Sequence, residues 1–235
     1  MSQPQHAVRS RHLAAPTPAE VHVWVADLDP ELRESARRFA ATTDAERERA
    51  SQFWRPEDGD RHLSAHGALR LVLADYLGCD PLTLRFETGE HGKPFLVDAP
   101  LEFNLAHSGD LALIAVAGGR RVGVDVERLR PLLDLDDLAP RVCTPDELVT
   151  LATLAEPHRG DAFLAMWARK EALAKATGEG IRGVVRDARR TPGDAQDRWT
   201  LLDIGDLPGY AACVAAEGSG WRLVRRTVTV STERG

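Results

Sequence analysis

Three carboxylates and a lysine are spaced as a cation-assisted site would need them. Val122-Gly123-Val124-Asp125-Val126-Glu127 alternates as a strand does. Asp125 and Glu127, two apart, therefore project from one face, while Val122, Val124 and Val126 turn to the core. Two like charges on one face repel, and a hard divalent cation relieves that. Mg²⁺ takes oxygen ligands, usually one or two carboxylates completed by water and substrate phosphates. The same pair also suits a solvated strand end. In Trp167-Ala168-Arg169-Lys170-Glu171-Ala172-Leu173-Ala174-Lys175, helical spacing puts Trp167, Glu171 and Lys175 on one face. This supplies either a third carboxylate and a cation for that site, or an ordinary surface Glu–Lys pair worth about 0.2–0.5 kcal/mol.

Two more segments carry polar groups at turns and strand ends. His91-Gly92-Lys93-Pro94 reads as a turn, and Glu102-Phe103-Asn104-Leu105-Ala106-His107-Ser108-Gly109 brings Asn, His and Ser to the end of a strand. No Ser-His-Asp assignment follows from spacing. No G-x-x-x-x-G-K-[ST] occurs, and the G-x-G-x-x-G formed by Gly178, Gly180 and Gly183 follows an expected helix and not a strand, which argues against nucleotide binding through either of those folds.

The elements that must position these groups follow from pattern. A half-buried strand is expected at 21–25 and charged helix over 31–55. A clearer helix runs from Pro56 to Leu77, stopped by Gly78. Short strands are expected around 82–86, 94–97 and 101–106, then a β-hairpin of 111–117 with 122–127 about Gly118-Gly119-Arg120-Arg121. The Pro- and Asp-rich run 129–140 reads as a seam. Thr144-Pro145-Asp146-Glu147 opens a helix with a capping box, and a longer helix spans about 161–177 up to Gly178. Strands near 198–203, 209–216 and 221–230 complete an α+β pattern. Residues 1–20 read as a flexible tail, 21–128 as an N-terminal subdomain and 129–235 as a C-terminal one.

Composition narrows the function. With 235 residues, 43% hydrophobic and 28% charged, the chain is an ordinary globular protein of one or two domains. A net charge of −6 disfavours a general nucleic-acid or membrane-surface binder. Three scattered cysteines (Cys79, Cys143, Cys213) offer no disulfide framework and suit a reducing, cytoplasmic setting. The start of the chain does not read as a secretory signal, and no membrane span is expected. Only three of the 30 basic residues are lysines: Lys93, Lys170 and Lys175. All three fall within the segments singled out above.

Taken in order, Gly92-Lys93-Pro94, Phe103-Asn104-Leu105-Ala106-His107-Ser108, Gly123-Val124-Asp125-Val126-Glu127 and Trp167-Ala168-Arg169-Lys170-Glu171-Ala172 resemble the 4′-phosphopantetheinyl transferases of the Sfp type. Arg49, Phe53, Asp58 and Arg61 look like the basic helix start of that family, and the likeness spans residues 21 to 216. The resemblance implies two similar α/β halves in pseudo-twofold arrangement, with coenzyme A and Mg²⁺ in the cleft between them. It implies a monomer that moves the phosphopantetheine arm of coenzyme A to a serine of an apo acyl or peptidyl carrier protein, releasing adenosine 3′,5′-bisphosphate. Polyketide, nonribosomal-peptide and fatty-acid synthesis are the usual settings.

The resemblance also distributes roles. Asp125 and Glu171 fall on direct metal ligands, and Glu127 on one that acts directly or through water. Arg49 and His107 are similar to groups that hold the 3′-phosphate, with Arg61 beside them. Thr88, Gly89, Glu90, His91, Gly92 and Lys93 match one coenzyme-binding turn, and Asn104, Leu105, Ala106 and His107 a second. Lys175 resembles the lysine at the pyrophosphate, and Glu171 the general base. Ala106 stands where many members have Ser, and Glu46 and Arg49 where some have two lysines. Two other readings remain: a coenzyme A or carrier-binding protein without catalysis, and a Mg²⁺ phosphohydrolase that uses water in place of the serine.

Overall fold

A computed structural model describes residues 13–29, 38–89, 92–97, 99–180 and 198–228. The chain is α+β, built on two main sheets. The first has the order β4-β5-β1-β9, from β1 (Glu20–Asp27), β4 (Leu101–Ser108), β5 (Leu111–Gly118) and β9 (Arg222–Thr227). The second is β6-β8-β7, from β6 (Val122–Arg128), β7 (Trp199–Asp203) and β8 (Tyr210–Glu217). A small hairpin pairs β2 (Phe86–Thr88) with β3 (Pro94–Leu96).

The sheets face each other through their aliphatic sides. Val21, Val23 and Val25 of β1 and Leu113 of β5 form one core with Val122, Val124 and Val126 of β6 and Val214 of β8. Helices cover the outer faces. The first helix, α1 (Asp44–Ser51), leads to α2 (Pro56–Leu77), which packs Ala65, Leu69, Val72 and Leu73 against Phe103, Ile114 and Val116 of the first sheet. After α3 (Leu135–Val142) and α4 (Pro145–Ala152), the helix α5 (His158–Thr177) lays Ala172 and Ala176 on Cys213 and Ala215 of the second sheet. The layers thus run helix, sheet, sheet, helix.

Local chemistry explains the boundaries. Thr43 and Thr144 each close a capping box with the glutamate three residues on, Glu46 and Glu147. Gly78 and Gly178 end the two long helices in the left-handed region, at φ 64 and 80. The helix expected over 31–55 is interrupted at Thr43, whose side chain starts α1 afresh; residues 30–37 lie outside the described ones. The strand expected at 82–86 gives way to a 3₁₀ turn, Pro81–Thr83, where Asp80 accepts from the Leu82 N–H. The seam at 129–140 holds α3, which buries Leu135, Ala139 and Val142 and begins with Asp136 and Asp137 at its positive end.

Two expectations are corrected. β5 and β6 do not form a hairpin: β5 pairs with β4 and β1, and β6 with β8. Both strands carry a continuous apolar face, so more surface is buried by stacking them in opposite sheets than by placing them side by side. Nor is β1 half-buried, because it lies between β5 and β9 with both faces covered. His22, 2% exposed, meets the Tyr76 hydroxyl at 2.6 Å, and the Trp24 Nε1–H donates to the same oxygen at 2.9 Å. Burial pushes the His22 imidazole down and the Tyr76 phenol up to about 12.

Gly123 sets how closely α5 approaches β6. A Cβ there would stand 2.2 Å from the Ala172 carbonyl oxygen and 2.4 Å from the Ala176 nitrogen, both backbone atoms. Gly123→Ala should therefore cost about 1–3 kcal/mol, read as a lower urea midpoint with unchanged slope.

Candidate active site at the junction of the two sheets

The alternation of β6 sorts its side chains. The valines enter the core, while Gly123, Asp125 and Glu127 face α5, which contributes Glu171 and Lys175. A cleft of about 280 Å³ opens here, lined by Lys93, Asn104, Leu105, Glu171, Lys175 and Gly178 among others. Two elements distant in sequence thus bring Lys175 onto Asp125 and let the charges of Glu127 and Glu171 reach it.

Asp125 is the deepest member, at 6% exposure. The Lys175 ammonium donates to its Oδ1 at 2.6 Å, whereas Oδ2 is buried without a hydrogen-bond partner. Burial pushes the Asp125 carboxyl up to about 6; Lys175 opposes this, while the charges of Glu127 and Glu171 add to it. Glu171 is also raised, by burial first and then by Glu127, with Lys175 opposing. Glu127 takes the Ser108 hydroxyl at 3.5 Å and the Arg130 guanidinium at 3.5 Å.

The donor set fits a hard cation. An orphaned carboxylate oxygen and two further carboxylates, each unfavourable in the presence of the others, are relieved by positive charge. Among the described residues no group of three or more His, Cys, Asp or Glu side chains is arranged to hold a metal ion.

A second group lies on the α2 side. His107 of β4 faces His62 with ring centroids 6.0 Å apart, and His62 stacks near His66 at 4.3 Å and Phe53 at 5.0 Å. His62 Nε2 is buried without a partner. Burial lowers all three imidazoles, His66 to about 4, and the Arg49 charge adds to this at His62 and His66. The Lys175 charge reaches His107 as well. The Glu46 charge opposes this at His62 and His66, and that of Asp58 at His107. Sequence reading missed His62 and His66; the signal was their spacing of four on a helix, which puts them on one face.

The other expected residues fall as follows. Thr88 ends β2 and Gly89 opens the turn of the β2–β3 hairpin, where the Gly89 N–H donates to the Lys93 carbonyl and the Gly92 N–H to the Gly89 carbonyl, both at 2.9 Å. Glu90 and His91 lie outside the described residues. Lys93 donates to the Val122 carbonyl at 2.9 Å and pairs with Glu102 at 3.8 Å. Arg61 is engaged by Asp110 at 2.8 Å and Asp58 at 3.2 Å. Glu46 accepts from Arg70 with both oxygens at 2.9 Å and serves the cap of α1, so its place in the family's basic position is structural. Lys170 does not join Lys93 and Lys175: it is buried against Glu147 of α4 at 2.9 Å.

Comparison with known proteins gives this helix–sheet–sheet–helix fold, with its acids and lysine between β6 and α5, a class. Residues 26–118 match the family described as 4′-phosphopantetheinyl transferase, N-terminal, and residues 121–213 the 4′-phosphopantetheinyl transferase superfamily. The chain belongs to this family of transferase enzymes. It is 36% identical over 213 residues to 4′-phosphopantetheinyl transferase HetI of Nostoc sp., covering 86% of this chain and 90% of that protein. It is 30% identical over 154 residues to 4′-phosphopantetheinyl transferase Sfp of Bacillus subtilis, covering 65% and 67%. A phosphopantetheinyl transferase of Thraustochytrium sp. is 32% identical over 182 residues, covering 70% and 63%. No helix among the described residues is long and apolar enough to cross a membrane.

In metal-free protein Asp125 should titrate near pH 6, read by carboxyl carbon NMR, and Lys175→Met should move it upward. Because the folded chain keeps a proton that the unfolded chain has lost, Asp125 lowers stability as pH rises from 3.8 to about 6. A midpoint near 4 would contradict the described burial.

Proposed function

We propose that this enzyme transfers the 4′-phosphopantetheine arm of coenzyme A to a serine of an apo acyl or peptidyl carrier protein, with Mg²⁺, releasing adenosine 3′,5′-bisphosphate. The observation that carries the reading is Asp125: a buried carboxylate with one oxygen on Lys175 and the other unpartnered, feeling the charges of Glu127 and Glu171, behind a cleft that Glu171 and Lys175 line. A protein that only bound coenzyme A would gain nothing from three mutually repelling carboxylates.

Mg²⁺ would be held by Asp125, Glu171 and Glu127, and when bound it would neutralise phosphate oxygens. The chain's own residues supply the rest. Phosphoryl transfer depends mainly on positioning and charge neutralisation. The serine hydroxyl attacks the phosphorus of the pantetheine-side phosphate, forming a P–O bond as the pyrophosphate bridge to the nucleotide breaks. The bridging electron pair leaves with adenosine 3′,5′-bisphosphate, and Lys175 would stabilise that charge. Glu171 would accept the serine proton, directly or through one water; its raised carboxyl is a better base than an ordinary glutamate.

The coenzyme would lie along 88–93 and 105–107, with its 3′-phosphate toward His107 and Arg49. His62 and His66 extend that end: a phosphate dianion favours protonated imidazoles and would reverse the burial effect. A cytoplasmic monomer is the setting this reading assumes.

Intact-mass spectrometry on apo carrier proteins with coenzyme A and Mg²⁺ should show the added phosphopantetheine, and chelation should stop it. Coenzyme A consumed with no carrier present would favour the hydrolase, and tight binding without turnover the inactive binder. Glu171→Gln should lower loading by about 10²-fold or more with the fold retained, as expected for loss of a general base. His107→Ala should raise KM for coenzyme A roughly tenfold, a loss of about 1.4 kcal/mol, but leave KM for dephospho-coenzyme A unchanged.

A further inference from the structure

The second sheet runs β6-β8-β7, so among the described residues β6 has β8 along one edge and no strand along the other. Side chains from the first half fill that edge. Lys93 Nζ donates to the Val122 carbonyl at 2.9 Å. The Val124 N–H donates to Asn104 Oδ1 at 2.9 Å, and the Arg128 N–H to the Ser108 hydroxyl oxygen at 3.1 Å. Asn104 and Ser108 are four apart on β4, and Val124 and Arg128 four apart on β6, so the contacts keep step along both strands. β4 uses its backbone on β5 and offers these side chains to β6.

An open strand edge carries unpaired N–H and C=O groups, and a slip of one residue would turn every side chain to the opposite face. For β6 such a slip would send valines toward α5 and the carboxylates into the apolar core. Asp125 and Glu127 lie between the two contacts. Asn104 is 6% exposed, so its loss would leave the Val124 N–H buried and unsatisfied.

We propose that Asn104 and Ser108, with Lys93 at the near end, are positioning residues that stand in for the missing neighbour strand of β6 and fix Asp125 and Glu127 toward α5. This gives Asn104 to the protein's own backbone rather than to the coenzyme. The effect on turnover rests on the reading of those carboxylates given above; the effect on the strand does not.

The test pairs hydrogen exchange on the whole chain with carrier-loading kinetics for Asn104→Leu, which keeps volume but removes the acceptor, and Ser108→Ala. Amide exchange should rise about tenfold or more at Val124 in the first variant and at Arg128 in the second. For Asn104→Leu, kcat should fall about tenfold while KM for coenzyme A stays within about twofold; Ser108→Ala should show the same split at smaller size. Unchanged exchange at these amides, or a raised KM with unchanged kcat, would overturn the proposal. If Asn104→Leu does not fold, Ser108→Ala decides it at Arg128. If the unmodified protein loads no carrier, the transferase reading fails alone, and exchange at Val124 and Arg128 still judges the strand.

Discussion

Strand β6 must satisfy opposite demands on its two faces. One presents three valines to a core shared by both sheets; the other presents Asp125 and Glu127 to a helix. Neither face can be satisfied unless both sheets and α5 are in place. Gly123 lets α5 come close enough for its Ala172 and Ala176 backbone to touch the strand, and the same approach brings Lys175 to Asp125. The acidic group is therefore a product of packing between distant segments, not of any local motif.

Electrostatics divides the cleft region into two ends. At one, carboxylates are raised by burial and by each other, which favours a cation. At the other, three imidazoles are lowered by burial, with the Arg49 charge reaching His62 and His66 and that of Lys175 reaching His107. Lys175 links them, since it donates to Asp125 and its charge is felt at His107. A protein of net charge −6 can still present an anion-favouring pocket, because the field in a cleft depends on the few charges that converge there.

Much of this was legible in sequence. Period-two alternation at 122–127 assigned Asp125 and Glu127 to one face, and the capping box at Thr144 fixed the start of α4. Helix stops at Gly78 and Gly178 were equally plain. What failed was pairing. Nothing local in 111–127 tells adjacent apolar strands whether to lie side by side or to stack, because that depends on β1, β8 and β9. The same holds for Lys170, whose helix position is readable but whose partner Glu147 is set by where α4 packs. Glu46 stands where some family members have a lysine, and its Arg70 partner, which gives it a structural role, comes from a helix turn far along the chain.

The chain's last described strand has a consequence for synthesis. β9 lies parallel to β1, from Glu20 beside Arg222 to Val25 beside Thr227, while the rest of that sheet is complete by residue 118. A nascent chain emerging N-terminus first therefore holds β1 with one bare edge until about a hundred further residues have been made. The first sheet is closed by a strand that follows its other three by about a hundred residues. Clipping the chain before Arg222 would leave β1 as an exposed, valine-rich border open to self-association, even with every cleft residue still present.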